Sequence, residues 1–281
     1  MNMRLRYFVV KREPTTYCGL NLVDTPDVDI FAEPVPPALP APPTPPGRIA
    51  AFLQVLVCSG QVVTQTAIYA VLILLGMKAP DGDMLPLPFF VALSLIDAAV
   101  VAFMIFVFLR ASGESFRQVF FGGREIKKEL TLGVILIPVV LVGMGIIMGT
   151  IKVAFPGLHN VKVSPFDAFT DTPFHAALFV FVVIVAGGIR EELARAFMLH
   201  RFEQRLGGIW VGQILFTLLF GFAHLIQGWD AALAIGSLGF FWGVLYIRRR
   251  SAAAAMVSHA GFDAIQVIVQ LLAKTLGIPV R

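Results

Sequence analysis

The chain has 281 residues, 57% of them hydrophobic and 14% charged, with a mean hydropathy of +0.82. Soluble domains are roughly 45–50% apolar, so an ordinary water-soluble fold is excluded, and the apolar residues form blocks long enough to cross a hydrocarbon core of about 30 Å. A net charge of +4 does not point to nucleic acid here, because the Lys and Arg residues lie mostly between apolar blocks, where they set orientation in a bilayer.

Residues 1–48 differ from the rest. The run from Pro34 to Pro46 removes backbone donors and favours extended polyproline conformations over helix, which predicts a disordered, cytoplasmic Pro-rich tail. Arg4 and Arg6 precede only a brief apolar patch, which does not make a secretory signal, so the first spanning helix is expected to target the chain. Cys18 and Cys58 show neither a metal spacing nor a disulfide framework.

Apolar blocks then predict an all-α transmembrane bundle of about seven spans, near 49–77, 86–110, 130–155, 174–199, 209–228, 231–247 and 252–275. Residues 49–160 form an N-terminal set of helices and 174–276 a core with chemistry in it. Basic residues alternate between loops: Arg4 to Arg48 in the tail, Lys78 alone, then Arg110 to Lys128, Lys152 with Lys162, Arg201 with Arg205, none between His224 and Asp230, and Arg248 to Arg250. This alternation predicts a cytoplasmic N-terminus and an outer C-terminus, against which Lys274 and Arg281 run; the plasma (inner) membrane is the expected location. Gly239 and Gly243, four apart, predict close helix packing. No internal repeat of the kind that builds many transporters is legible.

Ionisable residues inside apolar blocks carry the functional signal, since a mid-membrane charge costs at least about 2.5–3.5 kcal/mol on insertion scales. The fourth block ends in Gly187-Gly188-Ile189-Arg190-Glu191-Glu192-Leu193-Ala194-Arg195. On an α-helix Glu191 and Arg195 share a face and can pair, while Glu192 points about 100° away. The fifth block carries Phe220 and His224. The seventh carries Ser258 and His259, with Asp263 four residues on, a pair that suits a proton relay, an oriented donor pair or half of a metal site. Asp97 is the one clear mid-span ionisable residue of the first three blocks, and His175 and His200 are expected at interfaces. Together the set contains what amide hydrolysis needs: a carboxylate to deprotonate water, a histidine to position it and donors for an oxyanion. Ser258 points away from His259 and neither cysteine lies near the cluster, so activated water fits better than a covalent nucleophile.

These residues resemble the CPBP intramembrane proteases, which include type II CAAX prenyl endopeptidases and bacteriocin-processing or immunity proteins. The family pattern is a Glu pair followed by Arg, then Phe with His four residues later, then His with Asn or Asp four residues later. Here Glu191-Glu192 with Arg195, Phe220 with His224, and His259 with Asp263 match it, over roughly residues 174–272. The family leaves three residues between the Glu pair and the Arg, whereas only Leu193 and Ala194 intervene here. Which glutamate is the base is therefore open; Glu191 is preferred for sharing a face with Arg195, and Glu192 is the second candidate.

The resemblance implies an endopeptidase that cuts peptides or membrane proteins in or next to the bilayer. A glutamate and His224 would hold the attacking water, His259 and Asp263 would stabilise the oxyanion, and Arg195 and Phe220 would give support. The family is often labelled metalloprotease; without a His-Glu-x-x-His motif no tightly bound zinc is expected, the alternative being a divalent metal such as zinc on His224, His259 and Glu191. Rival readings are a non-catalytic scaffold or immunity protein on the same fold, and a proton-coupled transporter. Depth sets a problem: His224 lies about 22 Å along its helix from residue 209, but His259 only about 10 Å from residue 252.

Overall fold

The computed structural model describes residues 44–59, 63–78 and 86–278. Pro42–Arg281 packs as one unit, and Met1–Ala41 is a separate one outside the described residues, so nearly all of the Pro-rich segment 1–48 lies outside them. Its last residues are held where Arg205 donates to the carbonyls of Pro46 and Pro45 at 3.0 and 3.4 Å.

Every regular element among the described residues is helical. In chain order these are α1 (Arg48–Cys58), α2 (Val63–Leu74), α3 (Leu87–Ala111), the short α4 (Phe116–Phe121), α5 (Ile126–Ala154), α6 (Pro173–Val182), α7 (Glu192–Arg205), α8 (Ile209–Ala223), α9 (Trp229–Arg249) and α10 (Ala253–Thr275). A π-helical stretch, Val183–Glu191, joins α6 to α7 without a break. Five helical runs are long and apolar enough to cross a membrane: α3, α5, the continuous Pro173–Arg205, α9 and α10. The chain is a multi-pass integral membrane protein.

Two expected spans differ from the helices found. The block 49–77 divides into α1, which ends at Cys58, and α2, which starts at Val63, bent by 47°. The block 209–228 is helical only to Ala223, and a 3-10 turn, Leu225–Gln227, follows. Gly228, at φ +112°, then opens α9 in a conformation that L side chains rarely adopt.

Local signals set the helix carrying the first motif. Thr172 caps α6, its hydroxyl accepting from the His175 amide at 3.1 Å, and Pro173 occupies the first turn, where no amide is needed. The bundle then closes through glycine. A Cβ on Gly133 would meet Val257, and one on Gly261 would meet Ile137, so α5 and α10 approach closely at both positions. Gly239 accommodates the Phe220 ring and Gly243 the Gln213 side chain, both from α8, as their spacing predicts. At the end of α9, Arg249 pairs with Glu129 of α5 and Arg250 with Glu203 of α7.

Candidate active site

Three elements bring the motif residues together: the junction of the π stretch with α7, the end of α8 and the second turn of α10. A π stretch has one more residue per turn-closing hydrogen bond than an α-helix and is frequent at functional sites. Here it carries Gly187 and Gly188, against which α10 presses. A Cβ on Gly188 would collide with Ala260, and one on Gly187 would lie 2.6 Å from the Asp263 carboxylate. Bare glycine backbone therefore makes the room that Asp263 occupies.

The expected Glu191–Arg195 pair is not the one that forms. Arg195 binds Glu192, three residues away within α7. Glu191 is the last residue of the π stretch, so the α-helical rotation assumed from spacing does not apply to it, whereas Glu192 and Arg195 both lie on regular α-helix. The Arg195 guanidinium is fully buried and lies over the rings of Phe216, Phe220 and Trp242, at 4.7, 5.0 and 5.8 Å from their centroids. Such faces attract a cation strongly when it is desolvated.

Glu192 is thus held twice, since its Oε1 also accepts from His259 Nδ1 at 2.8 Å. An ionised carboxylate can only accept, which assigns the proton to Nδ1 and leaves the Nε2 lone pair of neutral His259 free to face the site. There Asp263 Oδ2 lies 3.5 Å and Glu191 Oε2 3.9 Å away. The imidazole is fixed by stacking on Trp242, with centroids 3.8 Å apart and planes 17° apart. Trp242 in turn donates to Ser258 Oγ at 3.0 Å. Ser258 is a support for that indole and bonds back to the Ala254 carbonyl.

His224 follows the last residue of α8. Its Nδ1 donates to the Phe220 carbonyl, 2.7 Å away and one turn back, which leaves Nε2 as an acceptor. The Phe220 ring touches both histidines, with centroids 4.8 Å from His224 and 6.2 Å from His259. This meets much of the depth problem: helix side chains lean toward the N-terminus, so His224 reaches back from the end of α8 to the level of Phe220.

Exposure separates the two glutamates. The Glu192 side chain is 1% exposed, while those of Glu191 and Asp263 are 17% and 23% exposed, so of the three carboxylates only the latter two are accessible from outside the packed bundle. The gap of 3.9 Å between Glu191 and His259 is too long for a direct hydrogen bond. A zinc site instead needs His, Cys or carboxylate ligands in a tetrahedral set at about 2.0–2.3 Å. No group of three such side chains among the described residues has that arrangement, so His224, His259 and Glu191 as placed do not fit a resident metal.

Reasoning from sequence missed Trp242, Phe216 and the partner of Arg190. Arg190 turns away from the site to Asp97 of α3. His200 binds Glu114 at 2.6 Å, an interface role as expected, while the backbone amide of His175 is engaged at the Thr172 cap and its ring lies 6.3 Å from that of Phe174.

Residues 173–265 match the family model described as Rce1-like: Type II CAAX prenyl endopeptidase Rce1-like. The match runs from the first residue of α6 into α10, about a third of the chain, and contains all three motifs. It bears out the CPBP resemblance. No curated protein and no solved structure matches the chain.

Proposed function

We propose that this chain, a CPBP-family membrane protein over residues 173–265, is an endopeptidase that hydrolyses a peptide bond in or next to the bilayer with activated water. The observation that carries the reading is the unequal use of two adjacent glutamates. Glu192 is sealed between Arg195 and His259, and Glu191 stands open beside the free edge of the same imidazole.

In this reading Glu191 takes a proton from the water as its oxygen attacks the scissile carbonyl, and His224 Nε2 holds the other water proton. The oxyanion faces His259 and Asp263 and accepts a hydrogen bond from the Asp263 carboxyl in its protonated form, because Nε2 of His259 carries no proton. Collapse of the tetrahedral intermediate breaks the C–N bond, and Glu191 returns its proton to the leaving amine, so the enzyme ends as it began. Glu192 keeps Nδ1 of His259 protonated and the ring oriented, as a buried carboxylate does for a catalytic histidine. No step requires a metal.

The basic loops support a cytoplasmic N-terminus, with the bent α1–α2 pair counted as one span and α8 with its 3-10 turn as a thin fifth, for seven in all. The reading is tested by mass-spectrometric mapping of new peptide termini in host membranes carrying the wild type or Glu191→Gln. Termini that need Glu191 establish proteolysis and identify the substrate. Identical termini from two equally folded proteins return the chain to a non-catalytic scaffold. Treatment with EDTA is expected to leave the termini unchanged; loss reversed by added zinc would assign a metal to the site.

A further inference from the structure

Arg190 is the immediate neighbour of Glu191, yet its charge is carried away from the site. Its guanidinium binds Asp97 Oδ2 on α3, and Asp97 Oδ1 accepts from the Thr64 hydroxyl of α2. Both oxygens of the carboxylate are therefore used. The pair is closed off inside the bundle, with Arg190 4% and Asp97 1% exposed. Buried ion pairs contribute little net stability, because the cost of desolvation offsets the attraction, and ionisable residues in a membrane span usually serve function. Stability alone is thus a weak reason for this pair. Asp97 lies outside the 173–265 match, so neither the three motifs nor the family model gives it a role.

The guanidinium is also not saturated. Nε of Arg190 has no hydrogen-bond partner among the described residues, and both the Arg190 and Asp97 charges act on Glu191. Without its anchor, Arg190 would have spare donors, a buried charge and one carboxylate close by, that of the next residue.

The geometry points to Asp97 as a positioning residue for Glu191: by holding Arg190 on α3 it prevents the guanidinium from capturing the Glu191 carboxylate and keeps that carboxylate available to water. The catalytic half of this statement rests on the protease reading. The structural half does not, and the two separate by experiment.

The first arm is a double-mutant cycle on the full chain in lipid nanodiscs, read by melting temperature and blind to activity. Glu191→Gln is expected to leave the melting temperature of wild type unchanged or raised. In the Asp97→Asn background it is expected to lower it, because there it removes the new partner of Arg190. Equal shifts in both backgrounds overturn the proposal. The second arm counts Glu191-dependent termini in membranes. Asp97→Asn should reduce their formation by about tenfold or more, the scale of one charged hydrogen bond. Asp97→Glu should restore it, and so should adding Arg190→Gln to Asp97→Asn, because no guanidinium is then left to intrude. A merely structural Asp97 would not be rescued by removing its partner.

If Asp97→Asn does not fold, the charge-balanced pair of Asp97→Asn with Arg190→Gln decides alone: near wild-type cleavage supports the proposal and loss in a folded protein overturns it. Absence of Glu191-dependent termini in wild type would sink the protease reading while the melting cycle still decides the arrangement.

Discussion

Helix α7 carries two clusters of the same residue types nine residues apart, about 14 Å along its axis, and they have been built to opposite ends. Near its C-terminal end His200 and Arg201 meet Glu114. His200 and Gln204 bond Oε1, and Arg201 bonds Oε2 while also reaching Gln54 and Gln204. Every acceptor of that carboxylate is occupied, which makes the cluster a clasp between α7 and the turn after α3. At the N-terminal end, Glu192, Arg195 and one edge of His259 form a similar closed set. Beside it, however, Glu191, Asp263 and Nε2 of His259 face one another without a direct bond shorter than 3.5 Å. What distinguishes a site from a staple here is whether its carboxylates are engaged, not composition, since the arginines of both closed sets keep buried donors without a partner among the described residues.

That contrast is most easily broken at Glu191. Glu191→Gln is expected to reduce the rate of peptide cleavage by about 10²–10⁴, the usual contribution of a general base, with a melting temperature at or above wild type, as measured on purified protein in nanodiscs. If rate and stability fall together, Glu191 is as structural as Glu114. The converse is expected of Glu114→Leu. It leaves Arg201 buried with only Gln54 and Gln204 as partners, so stability should fall by about 3 kcal/mol, the lower end for one broken buried pair, while the cleavage rate per folded molecule stays near wild type.

Much of the site was legible in the sequence because polar residues inside apolar blocks stand out. Glu191, Glu192, His224, His259 and Asp263 needed only that contrast, and helical spacing placed His259 beside Asp263. The same method failed where no contrast exists. Trp242 is one apolar residue in an apolar span, and nothing in its surroundings tells a ring that stacks on an imidazole from one that meets lipid. The π stretch was equally invisible, because hydrophobic periodicity over nine residues does not separate it from an α-helix. That one geometric unknown moved the Arg195 partner from Glu191 to Glu192. The division of the first span into α1 and α2 was hidden by the apolar residues on both sides of it. The Asp97–Arg190 tie joins residues 93 apart in sequence, beyond what local pattern reaches.

A smaller effect sharpens the open half of the comparison. Gly187→Ala puts a methyl group 2.6 Å from the Asp263 carboxylate, closer than real Cβ contacts come. The carboxylate must swing away from His259, and kcat is expected to drop by about tenfold, in keeping with the cost of misplacing a reacting group by a fraction of an ångström to 1 Å. Gly123→Ala, where a Cβ meets nothing within 4 Å, serves as the control and should leave kcat unchanged.

The smallest expected effect lies in the closed cluster and is read with pH. Burial alone would raise the Glu114 carboxyl, but hydrogen bonds from His200, Arg201 and Gln204 prevail and hold it at about 2. An unfolded glutamate titrates near 4.3. The folded state therefore prefers the charged form, and the stabilisation it gives is complete above about pH 5 and is lost as pH falls toward 2. Melting temperature between pH 6 and 3 should accordingly decline more steeply in wild type than in Glu114→Gln, which has no proton to take up at this position. Parallel declines would mean that the clasp holds its helices without the charge, and satisfaction of the carboxylate would no longer mark the difference between the two ends of α7.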